Sequence, residues 1–247
     1  MIQKECFWTK NYFTTLAFVS VAENGERSFS FARKPGADTK IEKEEINVDI
    51  LDKTTLFHVG SLSLTEQPAR NTTHYAIRRA KEKGSIISYD PNYRASLWKD
   101  KKTAKEQMRS LIPYVDLMKI SDEETELLTG KEKPEEAAKL LFEKGVKIVV
   151  VTLGSKGAYL YCKEGGLQIP GFVSKVADTN GAGDSFWGGF LYRISKSGKK
   201  PEEFTLNELK EYVRFGNAVA SLCCGKERCD TGNADTDGSQ GKDGTIK

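Results

Sequence analysis

The chain has 247 residues, 38% of them hydrophobic and 30% charged, with a formal net charge of +3. That suffices for one large α/β domain, or a domain with a small appendage, around an apolar core. The charge is spread rather than blocked, which gives no electrostatic case for nucleic acid. No apolar run approaches the ~18 residues needed to span a bilayer, and the first eight residues lack the apolar run of a signal peptide. Five cysteines (Cys6, Cys162, Cys223, Cys224, Cys229) show no Cys-x-x-Cys pair and read as reduced thiols of a cytoplasmic protein. The two histidines, His58 and His74, are far from any cysteine in sequence, which argues against a metal site of that kind.

In chain order, Thr14 to Val21 and Arg27 to Arg33 read as extended segments around Glu23-Asn24-Gly25, and Asn-Gly is a strong hairpin signal. Leu56 to Gly60 is a short apolar strand, and residues 67–82 have helical period. Ser85 to Tyr89 is a strand, Lys102 to Leu111 a helix, and Val115 to Ile120 another strand. A short helix at Glu124 to Leu128 stops at Gly130; a further one runs from Pro134, suited to a first turn, to Lys144. Lys147 to Thr152 is the most apolar strand, and Ala158 to Cys162 follows as one more. Gly181 to Ser195 and Leu206 to Leu222 are the last long helices. Strands alternating with helices imply a parallel sheet covered on both faces, with the first hairpin as a small β lid. Residues 225–247, rich in Gly, Asp, Thr and Lys, have the composition of a disordered tail. His58 reads as a packed strand residue, and Trp187 and Phe190, three apart on a helix, as core.

Chemistry concentrates in residues 178–184, Asp-Thr-Asn-Gly-Ala-Gly-Asp, ahead of a long helical pattern. A glycine-rich loop opening a helix aims N–H groups and a positive dipole end at an anion. An acid in the same place, Asp184, needs a job. The job inferred is to take a proton from a hydroxyl that attacks a phosphoryl group.

Asp178-Thr179-Asn180-Gly181-Ala182-Gly183-Asp184-Ser185-Phe186 resembles the C-terminal signature of the ribokinase-type (PfkB) sugar kinases. Further segments match that family in order: Phe57 to Ser61, Asp90-Pro91-Asn92-Tyr93-Arg94, Ser121 to Gly130, Thr152 to Gly157, and Phe215 to Ala218. Arg33 to Asp38 and Lys119 to Glu124 read most like bacterial fructokinases. The resemblance implies a ribokinase-like three-layer α/β/α sandwich with a small β lid. It divides the chain into a partial lid (1–40), a kinase domain (41–224) and an aberrant tail (225–247). It implies ATP-dependent phosphorylation of a sugar hydroxyl, with fructose to fructose 6-phosphate as the expected reaction. Asp184 would be the base, and the N–H groups of Gly181, Ala182 and Gly183 the anion hole. Ser121, Glu124, Thr152, Gly154, Gly157 and Asn217 would form the nucleotide side, with Glu124 ordering magnesium through water. Arg94, with Asp90 and Asn92, would serve the phosphates and substrate. Asp178 and Asn180 would belong to a monovalent-cation loop, with potassium as its ion. ATP and Mg2+ are the expected co-reactants, a lid-mediated homodimer the expected assembly. The alternatives are a kinase for 2-keto-3-deoxygluconate, ribose or a nucleoside, and a non-catalytic nucleotide-binding descendant.

The sequence departs from the family pattern in three places. Ser121 stands where Asn is usual, which weakens the magnesium argument and leaves Glu124 readable as a solvated acid. Asp184 also reads as a simple helix cap, and Asp90 with Asn92 as a turn. The sugar-binding strands that open the family are missing, so the expectation is an impaired fragment. Read one base later, codons for Cys229 to Asp237 can encode Ala-Ile-Pro-Ala-Met-Pro-Thr-Leu, close to the family's usual continuation, so a frameshifted terminus is expected.

Overall fold

A computed structural model describes residues 9–21, 27–173 and 179–225. The chain divides into two compact units, Met1–Tyr114 and Val115–Lys247. The turn expected at Asn24-Gly25 lies outside the described residues, as does the tail expected over 225–247 apart from its first residue, Gly225.

In the first unit, β1 (Leu16–Val21) pairs antiparallel with β2 (Arg27–Ala32), from Leu16 opposite Ala32 to Val21 opposite Arg27. Leu16, Phe18 and Val19 are exposed, so this ribbon is not part of a core. Its base is tied down by Arg33, only 6% exposed. Arg33 donates through Nε to Asp38 Oδ2 at 2.8 Å, through Nη1 to Thr65 Oγ1 at 2.8 Å and through Nη2 to the Leu62 carbonyl at 2.9 Å. Burial would raise the Asp38 carboxyl; hydrogen bonds from Arg33 and Thr15 outweigh that and hold it below its usual range. α1 (Val48–Lys53) follows, capped by Asn47, whose side-chain oxygen accepts from the N–H groups of Asp49 and Ile50. Its six residues give barely two turns, too few for a period to declare itself in the sequence.

β3 (Leu56–Gly60) and β4 (Ile86–Asp90) run parallel with Gly60 opposite Asp90. α2 (Ala69–Glu82) joins them, turning Ala69, Thr72, Ala76, Ile77 and Ala80 inward at helical spacing. α3 (Lys101–Ser110) starts at Asp100, whose carboxylate accepts from Thr103 N at 2.7 Å. His58 departs from expectation. It is exposed, with Nδ1 3.0 Å from Ser88 Oγ, because among the described residues of this unit β3 has a strand partner only in β4.

In the second unit, β5 (Leu117–Ser121) and β6 (Ile148–Thr152) are parallel, and their first four residues are buried. Near-continuous apolar runs of this kind belong to strands covered on both faces. α4 (Asp122–Thr129) and α5 (Pro134–Glu143) form the crossover between them. After β6 the rhythm changes. A tight turn at Gly154–Lys156 returns the chain as β7 (Ala158–Cys162), antiparallel to β6, and β8 (Gly165–Ile169) is antiparallel to β7. The sheet of this unit is therefore mixed rather than parallel throughout, since a short turn cannot make a parallel connection. α6 (Ala182–Ser197) buries Phe186, Trp187, Phe190 and Ile194, and α7 (Leu206–Cys224) buries Leu209, Val213 and Phe215. Trp187 and Phe190 stack with ring centroids 4.8 Å apart, as core residues should.

Candidate active site

Ser121 and Thr152 are register partners at the carboxyl ends of β5 and β6, the end where ligands bind in α/β folds. Ser121 caps α4, and Glu124 reaches back so that its Oε2 accepts from Ser121 N at 2.8 Å and Ser121 Oγ at 3.1 Å. Glu124 is 7% exposed, so it is a fixed carboxylate and not a solvated one. The Ser-x-x-Glu spacing is that of a capping box, which accounts for serine at this position.

In the turn after β6, Gly157 has φ +93° and ψ −128°. The backbone of Ile169 to Gly171 passes so close that a Cβ on Gly157 would lie 2.1 Å from the Ile169 carbonyl oxygen and 2.4 Å from Gly171 N. Asn217, on α7 and 7% exposed, donates through Nδ2 to the Pro170 carbonyl at 3.1 Å. The segment 169–171 thus holds the Gly154–Gly157 turn and Asn217 together. Thr152 Oγ1 donates to the Ile120 carbonyl at 3.4 Å.

The glycine loop lies in the same unit. Gly181, with φ +71°, is the N-cap of α6, and Ser185 N donates to its carbonyl at 2.7 Å. Ala182 N donates to the Thr179 carbonyl at 3.2 Å, so that donor is engaged within the turn. Gly183 and Asp184 are first-turn residues, whose N–H groups lack acceptors inside a helix. The sequence assigns the cradle to Gly181, Ala182 and Gly183, and of these the Ala182 N–H is shared with the Thr179 carbonyl. Gly181, Ala182 and Gly183 are half-buried and Asp184 is exposed, so packed side chains do not close the loop off. From behind, the Cys223 thiol donates to the Asn180 carbonyl at 3.7 Å. Asp178 lies outside the described residues.

One residue was quoted in the sequence reading without a role. Lys119, on β5, is 6% exposed. A Cβ built on Gly183 would lie 3.0 Å from its Nζ and 3.6 Å from its Cε. The available signal was a lysine inside the otherwise apolar run Leu117 to Ile120.

In the first unit, Asp90 ends β4 and is 3% exposed. Asn92 has φ +46°, among the described residues the one non-glycine with positive φ. Ser61 N donates to the Pro91 carbonyl at 3.2 Å, and Arg94 Nη1 donates to the Tyr93 carbonyl at 3.1 Å.

Residues 6–236 match the pfkB family of carbohydrate kinases. The chain belongs to that family. Among its relatives, the probable fructokinase-5 of Arabidopsis thaliana is 40% identical over 220 residues, which cover 88% of this chain and 67% of the relative. The fold is shared with solved fructokinases. That of Xylella fastidiosa with bound ATP gives a TM-score of 0.86 at 28% identity, covering 95% of this chain and 74% of the other. A double mutant of the Vibrio cholerae O395 enzyme, holding fructose, ADP and a potassium ion, gives 0.82 at 30% identity, covering 91% and 72%. These likenesses establish the ribokinase-like α/β fold of this pfkB-family chain, with the antiparallel β1–β2 ribbon in the place of a lid. The chain spans about two thirds of the length of the curated relatives it matches. No helix of the described residues is long and apolar enough to cross a membrane.

Proposed function

We propose that the chain carries the phosphoryl-transfer machinery of an ATP-dependent fructokinase. The observation that carries the reading is the α6 N-terminus, an open first turn of backbone donors with the exposed Asp184 carboxylate in that same turn. In this reading Asp184 removes the proton from a sugar hydroxyl as its oxygen forms a bond to the terminal phosphorus of ATP. The bond from that phosphorus to the bridging oxygen breaks, and ADP leaves. Charge gathering on the transferring oxygens is met by the N–H groups of Gly183 and Asp184, with Gly181 and Ala182 shaping the turn. Thr152, Gly154, Gly157 and Asn217 would hold the nucleotide. For Asp90, Asn92 and Arg94 we retain the roles implied by the family resemblance.

Among the described residues no group of three or more His, Cys, Asp or Glu side chains could hold a metal ion. That fits Mg2+, which binds mainly through substrate phosphates and water with few protein carboxylates. Bound there it would offset phosphate charge, and Glu124, anchored at Ser121, is the acid available to hold a water of its shell. Potassium would engage the loop that includes Asn180. The exposed Leu16, Phe18 and Val19 support pairing of two lids in a homodimer. The free thiols of Cys162, Cys223 and Cys224 support a cytoplasmic setting. The deciding experiment supplies the full chain with Mg-ATP and a panel of fructose, 2-keto-3-deoxygluconate, ribose and a nucleoside, and follows ADP and phosphosugar. Slow fructose 6-phosphate formation supports the reading, and turnover at an ordinary fructokinase rate would overturn the expectation of an impaired fragment. Turnover of another member of the panel in its place replaces the sugar, and failure to bind ATP removes the kinase.

A further inference from the structure

A strand at the edge of a sheet presents backbone donors and acceptors that another chain can pair with, and natural edges are guarded by charges, proline or a bulge. Among the described residues β3 pairs with β4 and with no other strand, so it is an edge. Its five residues include no lysine, acid or proline, and its register with β4 is unbroken from Leu56 to Gly60. A groove of about 680 Å³ lies beside it, lined by Ile41, Ile46, Ile50, Leu51, Leu56 and Phe57 among others, within the size range of binding pockets. Leu56 and Phe57 are successive strand residues and point to opposite faces. Both line the groove, which therefore follows the margin of the strand and not one face of it. Ile41 is 40% exposed and Ile50 38%. Large aliphatic side chains left in water beside an unguarded strand mark an interaction surface. Charge narrows what covers it. Residues 41–52, which form one wall, carry Glu42, Glu44, Glu45, Asp49 and Asp52 against Lys43. Asp52 is matched by Arg79 and Lys83, which leaves four acids against one base. That base is turned onto the Tyr75 ring, 4.5 Å from its centroid.

We propose that this groove is a docking surface for an extended, apolar segment of a partner protein, flanked by lysine or arginine, that adds as a strand to the β3 edge. Main-chain pairing with β3 supplies the attachment, and alternate apolar side chains of the segment fill the groove. The basic flanks meet the acidic wall and fix the register. This surface lies within the first unit and does not depend on the kinase reading.

The probe is the labelled peptide Lys-Lys-Val-Ile-Val-Thr-Val-Lys-Lys, followed by fluorescence anisotropy as the full chain is added. Saturable binding that weakens with added salt is expected. N-methylation of alternate peptide amides removes ladder hydrogen bonds and should cost about tenfold or more in affinity. Exchanging the flanking lysines for glutamates should weaken binding further than salt does. Ile50→Lys places a charge in the groove at a position already 38% exposed and should abolish binding. Ile41→Lys decides the point if Ile50→Lys does not fold by circular dichroism. Absence of saturable binding would overturn the inference, as would equal binding of the N-methylated or the glutamate peptide. Binding that appears only after residues 1–8 are deleted would give the groove to the chain itself. A dimer in sedimentation that Ile50→Lys dissolves would give it to a second copy. Either result overturns the partner segment as its occupant.

Discussion

Gly157→Ala should be among the most damaging single-methyl additions in the second unit. The native φ of +93° and ψ of −128° fall where an L side chain is strained, at about 1–3 kcal/mol. The new Cβ would also lie 2.1 Å from the Ile169 carbonyl oxygen and 2.4 Å from Gly171 N. Both are backbone atoms, so relief requires moving the 169–171 segment, at the ~1–3 kcal/mol typical of overpacking. Together these give about 2–6 kcal/mol. Gly154, in the same turn, is the control. It has φ +57° with nothing within 4 Å of a built Cβ, so Gly154→Ala carries only left-handed strain, about 1–2 kcal/mol. Urea unfolding of both variants, followed by tryptophan fluorescence, measures the difference. Because Pro170 also receives Asn217 Nδ2, Gly157→Ala should in addition weaken ATP binding more than Gly154→Ala does. If the two variants unfold within about 0.5 kcal/mol of each other, the close approach has no energetic meaning and the reasoning fails.

Asp184→Asn should lower phosphoryl transfer by about 10²–10⁴-fold, the usual worth of a general base, with ATP affinity little changed; a variant retaining wild-type turnover would remove Asp184 from the chemistry. Phe190→Ala, at a fully buried position stacked on Trp187, should destabilise the chain by about 3–5 kcal/mol; a loss under about 1 kcal/mol would mean that the stack is not part of the core. The Lys199 ammonium, with the N–H and hydroxyl of Thr205, holds the Glu208 carboxyl down to about 2 against an ordinary 4.5. Its support for the start of α7 is complete above pH 4.5 and drains away as pH falls toward 2. Carboxyl titration by NMR should find the low value in the wild type and a higher one in Lys199→Met, whereas a wild-type midpoint near 4.5 would refute the pairing.

Much of the fold could be read from residue pattern. β3, β5, β6 and β7 are apolar runs of strand length between turn signals, and α2, α6 and α7 carry long helical periods. What stayed hidden has physical causes. α1 is too short to repeat its period. β8 begins with Gly165-Gly166, residues that weaken strand preference, and is held by its register with β7. The reversal of β7 depends on the length of one turn, which outranks the alternation that suggests a parallel sheet. At the site, Gly181 to Asp184 were placed at a helix start by the loop pattern alone. That Ala182 spends its N–H on Thr179 is a property of turn geometry that composition does not encode. Lys119 was quoted within a run but given no role, because its burial beside Gly183, 64 positions away, is a property of the fold and not of the strand.

Asp184, the proposed base, belongs to a helix whose next turn is sunk in apolar packing. Asp184 is followed by Phe186 and Trp187, each 2% exposed. Swinging its carboxylate by rolling α6 would drag those rings toward water, at about 1.5–3 kcal/mol for each ring fully uncovered. In the function proposed above, the backbone that carries the proton acceptor is thus held in place. On the proposed reading, alignment falls largely to the incoming alcohol, and discrimination among sugars would follow from which hydroxyl can present itself to a carboxylate on a helix that does not roll.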